Sequence, residues 1–346
     1  MHSVKIRDTI IRDNNPIYII AEIGGNFLNF NEAKKLIDLA IDVGANAVKL
    51  QTYRAETIAS KSAVYDMPNT GHANQFELFK KYEIDFQLHK EIWDYCSVKE
   101  ICVFSTPSHI SDVELLEKLD CPAYKIGSDD AVNIPFLEEV ASIGKPILLS
   151  TGMCTMNEVR ESISAILGKG NSDIILLHCV TNYPAEPVHV NLKCIPAMKK
   201  EFGLPVGYSD HTIGIACCIG ATAIGANVLE KHFTYDKNAE GPDHMLSADP
   251  KEMRQIIENV RTIETAMGDG VKRPSEGEKT TRINNRKSIV TIHAIPKGTV
   301  ISSDMIAIKR PGFGIQPKFF QEVIGRTAKV NIKAEEPILR DYIYGD

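Results

Sequence analysis

No run of about 20 apolar residues occurs in the 346-residue chain, which excludes a membrane-spanning helix written in the usual way. The longest nearly uncharged stretch, 213–229, is shorter and rich in Ala, Gly and Cys, as a packed helix would be. The first residues, MHSVKIRDTIIRDN, are charged throughout and show no apolar segment with a small-residue cleavage site, so no secretory signal is expected. CxxC spacing is absent among the eight cysteines, most of which sit inside apolar runs. They read as reduced, buried thiols, and the cytoplasm is the expected compartment. Neither GxxxxGK[ST] nor a strand-linked GxGxxG is present, so nucleotide chemistry has no support. Positive charge is also short: the net charge of −6 argues against nucleic acid or an anionic membrane as a principal partner. Low-complexity and Pro/Gly-rich tracts are missing, and 43% apolar with 24% charged residues is ordinary for a soluble globular enzyme.

What the chain does contain is a rhythm. Eight short apolar runs each end in residues able to do chemistry: YIIAEIG, AVKLQT, ICVFSTP, AYKIGS, PILLSTG, IILLHCVTNYP, PVGYSDH and NVLEKHF. Between them lie segments of helical period. One beginning near Asn31 places Ala33, Leu36, Ile37, Ala40 and Ile41 on one face before Gly44. Ser111 with Glu114, and Thr155 with Glu158, read as capping boxes. Asp249-Pro250 with Glu252 opens a helix that runs to Gly268. Strand then helix, eight times, predicts an α/β fold of the (β/α)8 TIM-barrel type with its active site at the strand C-termini.

A barrel of about 250 residues leaves room for a second domain. After Gly268 the text GDGVKRPSEGEKTTR reads as a linker, followed by the strand-like pieces KSIVTI, TVISSD, MIAIKR and AKVNI. The expected boundaries are 1–267 for the catalytic barrel, 268–281 for the linker and 282–346 for a small β-rich domain. Residues 282–346 hold 11 Lys/Arg against 6 Asp/Glu, whereas the preceding 281 hold 28 against 39. The tail is thus basic and the body acidic, which suits electrostatic docking within or between chains. The second and third strands are separated by an unusually long segment, TYRAETIASKSAVYDMPNTGHANQ, expected as a lid or substrate-gripping loop.

Alternation along a strand puts Val228, Glu230 and His232 on one face, and likewise Lys49 with Gln51. His211 and His232 end neighbouring strands. Two imidazoles with open positions suit a catalytic divalent metal, the alternative being a hydrogen-bonded pair without metal. Lys49 and Lys125, with hydroxyls from Thr106, Ser128 and Ser209, suit a phosphate; a Schiff-base lysine and plain ion pairs are the other readings.

The ordered segments AEIGGN, AVKLQTY, FSTP, YKIGS, LSTGM, CVTNYP, YSDHT, LEKHF and GPDH resemble the sialic acid synthase family, and KRPGFGI resembles the motif of its C-terminal antifreeze-like (SAF, β-clip) domain. The resemblance runs from about residue 19 to residue 342. It implies condensation of phosphoenolpyruvate with an N-acylated amino sugar such as N-acetylmannosamine, or a diacetamido sugar in legionaminate and pseudaminate synthases. It further implies Mn2+, with Mg2+ or Co2+ as substitutes, and a homodimer whose SAF domain covers the partner's barrel. By motif it assigns His211 and His232 to the metal, and Lys49, Thr106, Lys125, Ser128, Asn182 and Ser209 to phosphoenolpyruvate. Gln51, Tyr183, Asp243 and Arg310 go to the sugar, and Glu22 faces the reactants with Lys49 and Lys125. The family's Gly-Ser-Gly-Glu is replaced by Gly127-Ser128-Asp129-Asp130, so the carboxylate that manages the reacting water is expected at Asp130, with Asp129 as the second candidate. Ser108 and His109, in place of the commoner Phe after FSTP, mark positions where sugar specificity is expected to differ. A Schiff-base aldolase on the same barrel and a non-catalytic carbohydrate-binding protein are the competing functions.

Overall fold

A computed structural model describes residues 2–67 and 70–344. The chain divides into two compact units, Met1–Gly268 and Asp269–Asp346. In the first, all eight apolar runs are strands: β1 (Tyr18–Glu22), β2 (Ala47–Thr52), β3 (Cys102–Pro107), β4 (Tyr124–Ile126), β5 (Ile147–Ser150), β6 (Ile174–Cys179), β7 (Val206–Asp210) and β8 (Val228–His232). They pair in parallel and in chain order, and β8 pairs with β1 to close the barrel. Helices cover the outer faces, so strands such as YIIAE and VLEKH are buried at every position. That is why these runs are nearly continuous rather than alternating in hydrophobicity. A hairpin of Val4–Ile6 and Thr9–Ile11 adds Val4, Ile6 and Ile11 to the same core.

The helices begin and end where local chemistry allows. The helix after β1, α1 (Phe30–Val43), is capped by Asn29, whose side chain accepts the Glu32 N–H, so it starts one residue earlier than its hydrophobic period suggests. It stops at Gly44, where φ is 90°. The Thr155/Glu158 and Asp249/Glu252 capping boxes both form. The Ser111 box does not. The helix of Ile110–Glu117 is capped instead by His109, whose Nδ1 accepts the Ser111 N–H at 3.2 Å, because the turn after β3 brings the helix start two residues forward. Residues 213–229, uncharged and apolar, split into the short helix Ala216–Ala223 and the start of β8. Among the described residues no helix is long and apolar enough to cross a membrane. All eight cysteines are free, five of them buried.

The long β2–β3 connection is structured rather than a simple loop. It holds a hairpin of Val64–Met67 and Gly71–Asn74 and a helix at Gln75–Tyr82. Phe79 on that helix meets Tyr53 and Tyr65 edge-on, at 5.0 and 6.0 Å between ring centres, which ties the hairpin to the end of β2. The segment expected as a lid includes residues 68 and 69, which lie outside the described residues.

In the second unit, Ser288–Thr291 pairs antiparallel with Ile306–Lys309 over a core of Ile289, Ile295, Ile301, Ile315, Val323 and Ile338. Of the four strand-like pieces, KSIVTI and MIAIKR form strands. TVISSD and AKVNI contribute only the isolated bridges Val300–Thr327 and Ile295–Ile332, because turns interrupt their pairing. The expected linker contains a 3-10 turn, Glu276–Glu278, and leads into a helix, Lys279–Asn285, neither with a buried residue.

Behind the barrel, on the helix-facing side of β2 and β3, Thr52, His89 and Ser105 form a sealed chain. Thr52 Oγ1 lies 2.8 Å from His89 Nε2 and 2.6 Å from Ser105 Oγ, while His89 Nδ1 lies 2.7 Å from the Asp85 carbonyl. Burial lowers the His89 pKa to about 4, so the folded protein holds the ring neutral while the unfolded chain protonates near 6.5. The folded state therefore binds fewer protons, and stability present above pH 6.5 is lost as pH falls toward 4. Between pH 7 and 5 the loss from this residue is about 2 kcal/mol. Urea unfolding at the two pH values should show a shallower pH dependence in His89→Gln by that amount, whatever its absolute stability.

Candidate active site

Parallel pairing brings the inward-facing ends of the strands into register. Ser209 pairs with Glu230, His232 with Glu22, Glu22 with Lys49, and Gln51 with Thr106. Period two then turns Lys125, Glu230, Ser209, Glu22, Lys49 and Thr106 into the mouth. Lys49 Nζ lies 2.5 Å from Glu22 Oε2 and donates to Thr106 Oγ1 at 3.0 Å. Glu22 Oε1 also accepts from Gln51 Nε2 (3.2 Å) and from the Gly24 N–H (2.9 Å). A side chain at Gly24 would lie 2.5 Å from that same carboxylate oxygen, so glycine is needed for this close approach. On the other side of the mouth, Lys125 Nζ and Ser209 Oγ both donate to Glu230 Oε1, at 3.0 and 2.9 Å.

The two carboxylates respond oppositely to these surroundings. For Glu22, burial outweighs Lys49, and the charge of Glu230 adds to it, so its pKa is raised. For Glu230, burial is overcome by Lys125 and Lys49, and its carboxyl is held well below the usual range. Glu22 is thus the carboxyl suited to hold a proton, and Glu230 the one that stays ionised beside the lysines. Lys49 is held charged against burial by Glu22 and Glu230.

His211 and His232 stand 5.6 Å apart between ring centres at the top of the mouth. His211 Nδ1 lies 2.7 Å from the Val180 carbonyl, which fixes the ring and leaves Nε2 as the lone-pair nitrogen. His232 Nδ1 is buried with no hydrogen-bond partner and lies 3.5 Å from Asp243 Oδ2. Burial lowers the His211 pKa to about 4 and that of His232 well below its ordinary value. Two neutral imidazoles, one with an unused buried nitrogen, fit a divalent cation. Among the described residues no set of three or more His, Cys, Asp or Glu side chains forms a cage, so such an ion would keep open positions.

The remaining predicted residues fall around this centre with unequal closeness. Tyr183 stacks on His211 at 4.2 Å and meets His232 edge-on at 5.9 Å. Ser128 Oγ accepts the Gly152 N–H at 3.0 Å and lies 3.0 Å from Cys179 Sγ. Nearby, Thr181 Oγ1 is buried without a hydrogen-bond partner. Asn182 is exposed, and Arg310 is an exposed residue of the second unit. His109, expected near the sugar, is occupied in capping its helix. Asp130 Oδ1 accepts from Asn133 Nδ2 at 2.9 Å, and burial raises its pKa to about 6, with Asp129 and Asp112 adding to the effect.

Glu230 was not among the predicted site residues, although it is the acceptor for both Lys125 and Ser209. Its signal was present in the alternation Val228-Glu230-His232. On the opposite face of the same strands, Lys231 Nζ pairs with Asp210 Oδ2 at 2.8 Å, and Asp210 also accepts from Tyr208, Thr212 and Cys218. This buried network ties the ends of β7 and β8, from which His211 and His232 project.

Comparison with known proteins adds to this geometry. Residues 36–272 match the NeuB family and residues 286–342 the SAF domain. The N,N'-diacetyllegionaminic acid synthase of Campylobacter jejuni is 40% identical, covering 92% of this chain and 98% of that protein. The pseudaminic acid synthase of Helicobacter pylori is 34% identical, covering 95% and 98%. The crystal structure of the N-acetylneuraminic acid (sialic acid) synthetase of Leptospira borgpetersenii, in complex with citrate, superposes with a TM-score of 0.74 at 32% identity, covering 81% of this chain and 95% of that one.

Proposed function

The chain belongs to the NeuB family, and from that premise we propose that it is a nonulosonic acid synthase that condenses phosphoenolpyruvate with an N-acylated amino sugar and releases phosphate. The observation that carries this reading is the pair of buried lysine–carboxylate contacts, Lys49–Glu22 and Lys125–Glu230, beside two buried neutral histidines. Identity to the legionaminic acid synthase supports a diacetamido sugar alongside N-acetylmannosamine as the acceptor.

In this reaction C3 of phosphoenolpyruvate bonds to the aldehyde carbon of the open-chain sugar, water adds at C2, and the C2–O bond breaks to free phosphate. Lys49 and Lys125 exchange part of their pairing with Glu22 and Glu230 for the phosphate and carboxylate of phosphoenolpyruvate. Thr106, Ser128, Asn182 and Ser209 supply further hydrogen bonds to it. Because Lys49, Lys125 and Ser209 are buried and held in place before substrate arrives, they act on developing charge without reorganising. Gln51, Tyr183 and Asp243 hold the sugar, and Glu22, with its raised pKa, holds or returns a proton beside Lys49. His211 and His232 would hold a divalent metal, Mn2+ first among the candidates, which when bound supplies Lewis-acid polarisation of a carbonyl. The reading includes a homodimer in which Arg310 of one copy reaches the N-acyl group in the other, and a cytoplasmic location.

The test is phosphate release from phosphoenolpyruvate with Mn2+ and, separately, N-acetylmannosamine and the two diacetamido sugars, each with and without EDTA. Release that depends on one sugar and disappears with EDTA is expected. Release unaffected by EDTA, with borohydride trapping of Lys125, would replace this reading with Schiff-base chemistry.

A further inference from the structure

The loop after β4 carries two adjacent carboxylates, and the structure sends them in different directions. Asp130 lies over the start of the next helix, where its Oδ1 accepts from Asn133 Nδ2 at 2.9 Å and its backbone N–H closes a turn on the Gly127 carbonyl at 3.2 Å. Asp129, an exposed residue, turns back over Gly127. A Cβ placed on Gly127 would collide with Asp129 Oδ1 and would lie 3.8 Å from Thr106 Cγ2. Lys125 faces the mouth, and alternation puts position 127 on that same side. The Asp129 carboxylate therefore fills the space an inward side chain at 127 would take, beside Thr106, whose Oγ1 receives the Lys49 ammonium. Burial first, then the charges of Asp129 and Asp243, raise the Tyr65 phenol on the hairpin of the β2–β3 connection to about 12.

We propose that Asp129, admitted to the mouth by the absence of a side chain at Gly127, is the carboxylate that handles the proton of the attacking water, in place of Asp130. This rests on the synthase reading given above. As C3 of phosphoenolpyruvate bonds to the sugar carbon, C2 becomes electron-poor and the water oxygen bonds to it, passing one proton to Asp129. When the C2–O bond breaks, its electron pair leaves with phosphate, which takes that proton. The hydroxyl left on C2 gives up its own proton to become the carbonyl, and the former aldehyde oxygen gains one to become a hydroxyl.

Gly127 offers a test that leaves the carboxylate chemically intact. Its backbone does not adopt positive φ, so alanine is tolerated there, and the atom it would meet is the end of a flexible side chain. Full-length wild type, Asp129→Asn, Asp129→Glu, Asp130→Asn and Gly127→Ala should be compared for kcat, phosphoenolpyruvate KM and melting temperature. Asp129→Asn and Gly127→Ala should each lower kcat by ~10²–10⁴-fold, the range for a lost general acid–base, with KM and melting temperature little changed. Asp129→Glu should recover part of the loss, and Asp130→Asn should lose at least an order of magnitude less than Asp129→Asn. A larger loss in Asp130→Asn, equal losses in the two, or full activity in Gly127→Ala would each overturn the assignment. A wild-type protein inert with all three sugars would overturn the synthase reading itself, a result these variants are not needed to recognise.

Discussion

His211→Ala and His232→Ala are each expected to abolish sugar-dependent phosphate release and to weaken Mn2+ binding by at least ~10²-fold, since loss of even an outer-shell partner of a metal typically costs 10–100-fold. The two rings end adjacent strands, lie 5.6 Å apart and are held neutral by burial, so both lone pairs are available without prior loss of a proton. Tyr183 stacks on His211, and removing the imidazole also removes that support. Titration of Mn2+ by electron paramagnetic resonance, independent of turnover, separates loss of the ion from loss of substrate positioning. Unchanged Mn2+ affinity in both variants would place the ion elsewhere and leave the histidines as a hydrogen-bonded pair.

The second large effect concerns Lys125. Its ammonium contacts Glu230 at 3.0 Å, with both side chains about 5% exposed. Lys125→Met leaves a buried carboxylate facing only Ser209 and the more distant Lys49, and should destabilise the protein by ~3–5 kcal/mol as well as eliminate turnover. Lys125→Met combined with Glu230→Leu removes the uncompensated charge. The double variant should regain most of the stability in urea unfolding yet remain inactive. Recovery of activity in it would show that the lysine is a structural ion-pair partner rather than a phosphate ligand.

Much of this arrangement was legible in the sequence because it is local. The eight apolar runs, their chemical endings and the Thr155 and Asp249 capping boxes depend on residues within one turn or one strand of each other. The alternation of Val228, Glu230 and His232 likewise separated the inward His232 from the outward Lys231. Where local signals competed, the reading slipped. Ser111 and Glu114 had the spacing of a capping box, but the turn out of β3 started the helix at His109. The segment between β2 and β3 carried no alternation strong enough to announce a hairpin, whose contacts come from Phe79 across the insertion.

The sequence by itself determined the number and order of strands, the side each ending residue faces, and hence which side chains could meet in one mouth. Only the tertiary structure decided which of them do. Lys125 and Glu230 are 105 residues apart and pair because the barrel closes. Glu22 and Glu230 acquire opposite pKa shifts through burial and through lysines from other strands, which no neighbour in sequence encodes. Asp129 and Asp130 are equivalent as text. They differ in space because one loop turn brings the first over Gly127 and the second onto Asn133.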